Sequence, residues 1–179
     1  MGVKDFFFGK PKVSTTAAAA GFIMVLFDRT EVAWPMVKKM IVELGKPFNP
    51  DDDTGQFNLF LAGTALHLNA VHNLFPGQAK EIEAAVFQAL NTKSNGDYPL
   101  REVRHYRALL AKPVEDSRDA HAEVAVHLLR RWIDGDISDF VGPFDMIDGV
   151  TLMAIMSALL DVGGNYWKTI KDTRRIVPG

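Results

Sequence analysis

Residues 54–79 carry no formally charged side chain, yet they hold Asn58, His67, Asn69, His72 and Asn73 inside an otherwise apolar run. At about 100° per residue, a helix through this run gathers Asn58, Ala62, Ala65, Asn69, His72 and Asn73 onto one narrow stripe of polar and small residues. Phe57, Phe60, Leu61, Leu66, Leu68, Val71, Leu74 and Phe75 cover most of the remaining circumference. A helix that is greasy on so many sides needs neighbours on most of them, so it belongs at the centre of the fold. Neutral polar groups close to a core are costly unless bonded. The stripe is therefore plain surface, a seam of tight helix packing through Ala62 and Ala65, or the wall of a cavity. The cavity reading makes Asn58, His67, Asn69, His72 and Asn73 candidate ligand-binding residues.

Helical spacing recurs along the rest of the chain, and period-two strands do not, so the expected fold class is all-α. The spacing predicts helices over 13–27, 31–44, 51–74, 77–91, 100–111, 115–133, 145–161 and 165–174. Gly45 with Pro47, Pro76 with Gly77, and Pro113 with Gly135 separate them. Pro35 suits a first helical turn better than an interior, which would leave residues 30–34 as a turn. Residues 91–99 read as the clearest loop. The expected architecture is an irregular bundle of about six to eight helices in a single domain over residues 13–179. Residues 1–12 form a flexible or docking segment before it, set off by Pro11.

A chain of 179 residues, 47% hydrophobic and without cysteine, can bury a real core. The missing cysteines exclude thiolate nucleophiles, disulfides, iron–sulfur clusters and Cys-based zinc sites. A formal net charge of −2 argues against a broad nucleic-acid footprint. The charge is uneven, however. Residues 113–165 hold ten acids against three arginines, while both ends are basic, through Lys4, Lys10 and Lys12 and through Lys168, Lys171, Arg174 and Arg175. Either end suits an acidic surface. The uncharged stretch 13–27 follows basic residues as a leader would. It is interrupted upstream by Phe6, Phe7 and Phe8, lacks a small-residue cleavage site, and falls short of the ~20 residues of a membrane span. The expectation is a soluble, cytoplasmic protein without integral membrane insertion.

Other candidate sites are weaker. His67 lies mid-arc and should be buried, where a neutral imidazole suits a bonded core position, a ligand or a general base. His72 points about 140° away, so the two cannot share a metal on a regular helix. Asp119, Glu123, His127 and Arg131 recur at spacing four, which favours a self-paired helix face and leaves Glu123 with His127 as a metal or acid–base pair. Residues 134–145 place Asp134, Asp136, Ser138 and Asp145 where a calcium loop has oxygen donors. Asp139 occupies the position of the turn glycine, and Pro143 intrudes. Met146, Met153 and Met156 make a soft apolar helix suited to core packing or a partner. Phe6, Phe7 and Phe8 with flanking lysines suit peripheral contact with an anionic membrane. No phosphate loop, nucleophile elbow or zinc-protease motif is present, and no cofactor is specified. The leading expectation is a non-enzymatic helical protein that binds another macromolecule or itself. The alternatives are a bundle holding a metal, cofactor or apolar molecule through the polar stripe, and a peripheral membrane protein.

Overall fold

The computed structural model describes residues 9–43, 52–91, 97–111, 124, 125, 127, 128, 131, 132, 155, 157, 158, 161 and 163–179. Along the chain these form strand β1 (Lys12–Ser14), helices α1 (Thr15–Glu43), α2 (Asp52–Leu74), α3 (Ala79–Asn91), α4 (Tyr98–Leu110) and α5 (Tyr166–Thr173), and strand β2 (Arg175–Val177). Further helical residues occur between 124 and 132 and between 155 and 163. Helix dominates, as expected, but the five bounded helices among the described residues are fewer than the six to eight expected.

Part of that difference lies in α1, a single 29-residue helix where two were expected. Its start is capped by the Ser14 hydroxyl, which accepts from the Ala17 amide at 3.1 Å. Phe22, Leu26, Thr30, Trp34, Val37 and Ile41 are all buried, at steps of three or four residues. The apolar stripe thus keeps one phase across the expected break at 28–30 and across Pro35. An interior proline costs about 3 kcal/mol through its missing N–H and its clash with the preceding turn. Burial of several large side chains on either side, at about 1.5–3 kcal/mol each, outweighs that cost. Thr30 sits in the stripe without penalty because its hydroxyl donates to the Leu26 carbonyl at 2.8 Å.

The second correction concerns strands. β1 and β2 pair in parallel, with Lys12 opposite Arg175, Val13 opposite Ile176 and Ser14 opposite Val177. Three residues are too few to show alternation, so periodicity could not reveal either strand. A third correction is that Tyr98 and Pro99, expected in the loop, open α4. Proline fits there because its absent N–H would lack a helical partner anyway.

The expected central helix is central. Every residue of α2 from 58 to 68 is buried, and α2 packs against α1, α3, α4 and α5. Gly55 permits its approach to α1, since a Cβ there would overlap the Trp34 indole. Trp34 in turn meets Trp132 edge to face at 5.2 Å between centroids. At the other end, Phe22 packs on Tyr166 at 5.7 Å and Trp167 at 5.0 Å, fastening α5 to α1. Among the described residues no helix is long and apolar enough to cross a membrane.

Candidate functional site

The stripe on α2 divides into two environments. Asn58 is 4% exposed and accepts from the Tyr98 hydroxyl at 2.9 Å, and Ala62 and Ala65 are fully buried. This half is a packing seam. Asn69, His72 and Asn73 are exposed. His72 Nε2 lies 3.2 Å from Glu83 and 3.2 Å from Arg107, and Arg107 also pairs with Glu83, so the three stitch α2, α3 and α4 together. His67, on the apolar arc, is 9% exposed. Its Nε2 accepts the Gly163 amide at 3.0 Å, which requires an unprotonated nitrogen at that position. A Cβ on Gly163 would overlap the imidazole, so the close approach depends on glycine. The five stripe and arc residues therefore do not meet in one pocket.

A different polar group converges around the start of α4. Arg131 Nη1 donates to the Tyr98 hydroxyl at 3.0 Å, and that hydroxyl donates to Asn58. The same nitrogen lies 2.9 Å from Glu102 Oε2, and Glu102 is 5% exposed. This contact pairs the buried Glu102 carboxylate with the guanidinium, whose Nη1 carries a second N–H besides the one directed at Tyr98. Burial works to lower the Arg131 pKa, but the facing Tyr106, Glu102 and Tyr98 outweigh it and hold the guanidinium above its ordinary value. The network locks the Tyr98 ring at the protein surface. His127, the one described member of the expected Glu123–His127 pair, lies tilted against His105 at 4.5 Å between centroids and meets Tyr106 edge to face at 5.5 Å.

In front of Tyr98 lies an open cavity of about 500 Å³, lined by Phe27, Phe57 and Tyr98 together with Glu31, Asp53, Thr54 and Gln56. Phe57 stacks on Tyr98 at 6.4 Å and on Phe60 at 5.9 Å, and Phe27 meets Phe60 edge-on at 5.8 Å, so the aromatic wall is continuous and braced. Glu31 and Asp53 have no ion-pair partner among the described residues. A neighbouring hollow of about 670 Å³ shares Glu31 and Gln56 and extends along α1 past Trp34, Pro35, Lys38 and Lys39 to Val42 and Glu43. The two form one groove between α1 and the start of α2. Beside it α1 exposes Met24, Val32, Met36 and Val42, with Val32 at 81%. Comparison with protein-family models, curated proteins and solved structures finds no match.

Sequence reasoning missed this groove because each of its residues had a local explanation. Asp53 fitted the acidic start of a helix, Tyr98 a loop, Phe57 a core arc, and Phe27 and Glu31 the two sides of an expected break. The signal that could have found it is the unbroken phase of α1. Once α1 is one helix, Phe27, Glu31, Pro35 and Val42 fall on its outer face. Of the other expected sites, Glu123, Asp134, Asp136, Ser138 and Asp145 lie outside the described residues, as do Phe6, Phe7, Phe8, Met146, Met153 and Met156. No group of three or more potential metal ligands occurs among the described residues.

Proposed function

We propose that this is a non-enzymatic binding protein whose α1–α2 groove receives a cationic, partly apolar segment of a partner protein. The observation that carries this reading is a rigid aromatic wall, Phe27, Phe57 and Tyr98, beside two carboxylates, Glu31 and Asp53, that have no ion-pair partner among the described residues. A lysine or arginine side chain matches both halves, since its methylene stem covers aromatic surface while its head meets a carboxylate. Arg101, whose guanidinium stands 5.8 Å over the Tyr98 ring, illustrates the affinity of this wall for such a cation. The exposed Val32, Met36 and Val42 extend the apolar contact along α1. The braced Tyr98 matters because a ring already held by Asn58 and Arg131 loses little entropy on binding.

The test is a fluorescence and NMR titration of the full chain with short peptides centred on arginine or lysine, against matched peptides carrying glutamine. Saturable shifts at Phe27, Glu31, Asp53 and Tyr98 with the basic peptides only are expected. The Glu31→Gln/Asp53→Asn double variant should lose them while melting like wild type, because both side chains are exposed. Equal response to the glutamine peptides would overturn the cationic reading. So would a concentration-dependent dimer in sedimentation that Val32→Asp abolishes, which would make a second copy of the chain the occupant.

A further inference from the structure

We propose that the paired ends of the chain form a binding site for a phosphate group, on a face separate from the groove. Lys10, Arg174 and Arg175 line an open cavity of about 510 Å³ together with Phe75, Gln78 and Ile176. No acidic side chain is among the described residues lining it. The three cations come from opposite ends of the sequence and are brought together by the β1–β2 pair. Their backbones are fixed, since the Arg175 amide donates to Pro11 O at 2.9 Å and the Arg174 amide to Ile170 O at 2.8 Å. The Lys10 ammonium donates to the Lys171 carbonyl at 2.7 Å, which holds the charge in place and leaves it further N–H groups.

What marks this as a site is the absence of compensation. The Arg174 and Arg175 side chains have no ion pair among the described residues. Of the nearby acids, Glu81 accepts from the Thr15 hydroxyl at 2.7 Å, and Asp172 is exposed and forms no ion pair among the described residues. A fold that holds like charges together without a counter-ion retains repulsion that an anion relieves. Phosphate suits the arrangement because two guanidinium forks, an ammonium and the Gln78 amide offer many donors to one small, multiply charged acceptor. Gln78 commits one amide N–H to the Ile176 carbonyl at 3.3 Å and keeps the second. Phe75 and Ile176 provide an apolar border for the carbon portion of a phosphate ester. A soluble phosphorylated molecule and a phospholipid headgroup present the same chemistry.

The experiment has two arms on the full chain. In one, inorganic phosphate is titrated and the amides of Gln78, Arg174, Arg175 and Ile176 are followed by NMR. In the other, the protein is sedimented with phosphatidylcholine vesicles with and without phosphatidic acid. Saturable shifts of those amides support a soluble phosphate ligand. Sedimentation only with phosphatidic acid supports a headgroup. In either arm Arg174→Gln and Arg175→Gln should each weaken binding about tenfold. Arg104→Gln, on α4, should leave it unchanged, and all three variants should melt like wild type. Lack of response in both arms, or an equal loss in Arg104→Gln, overturns the site.

Discussion

Tyr106 is fully buried, and its hydroxyl finds no hydrogen-bond partner among the described residues. A buried polar atom left unbonded costs about 1–3 kcal/mol, so here the hydroxyl, unlike the ring, opposes stability. Burial also drives the phenol's pKa well above its ordinary 10.0, with Glu102 and Tyr98 adding to the rise and Arg131 opposing it. The folded state therefore holds the proton more tightly than the unfolded chain does. The stability from that preference is complete below pH 10.0 and is lost as pH rises from there toward the folded value. Tyr106→Phe should raise unfolding free energy by about 1 kcal/mol at neutral pH, since the ring stays and the unbonded oxygen goes. It should also flatten the alkaline loss. Urea denaturation at about pH 7 and about pH 11 checks both, and a Phe variant less stable at neutral pH would mean that the hydroxyl is bonded.

At the scale of elements, α1 carries its own imperfection on its outer face. Pro35 cannot donate to the Glu31 carbonyl four residues earlier, and both residues are exposed and border the groove. The buried stripe through Trp34 and Val37 tolerates the defect because it lies on the opposite side. Pro35→Ala restores the missing hydrogen bond and the better helix former, at the expense of a more flexible unfolded chain. The expected net is a stabilisation of about 1–2 kcal/mol, read as a raised Tm. A lower Tm would show that the proline ring packs in the groove.

At the scale of the whole molecule, β1 and β2 join segments far apart in sequence. The Thr15 hydroxyl shares its one proton between Glu81 at 2.7 Å and the Val177 carbonyl at 3.0 Å, the latter 162 residues away in sequence and beside the parallel β1–β2 pair. Contacts so distant in sequence carry a large loop-closure cost until the helices between them have packed. The strand pair should therefore form after the folding transition state. Val13→Ala and Ile176→Ala should destabilise the protein by speeding unfolding, with the folding rate nearly unchanged and φ close to zero. Stopped-flow chevrons of both variants test this. Slowed folding would place the strand pair in the nucleus.

Local pattern alone determined what depends on near neighbours. The helical class, the centrality of α2, the burial of His67 and the bounds of α3 and α5 to within a residue or two all follow from a 3.6-residue period and its breakers. Tertiary structure decided the rest, for reasons that differ by residue. Pro35 breaks a helix locally, but the buried phase on both sides overrode it. β1 and β2 exist only because each supplies the other's backbone partners, so neither carries a signal of its own. The two basic ends were legible as separate segments, and only the strand pairing set Lys10 beside Arg174 and Arg175. Asn58, Tyr98, Glu102 and Arg131 come from three stretches of chain, and no spacing rule links them. Each reads as an ordinary helical or loop residue until packing buries Asn58 and Glu102 and brings Tyr98 and Arg131 against them.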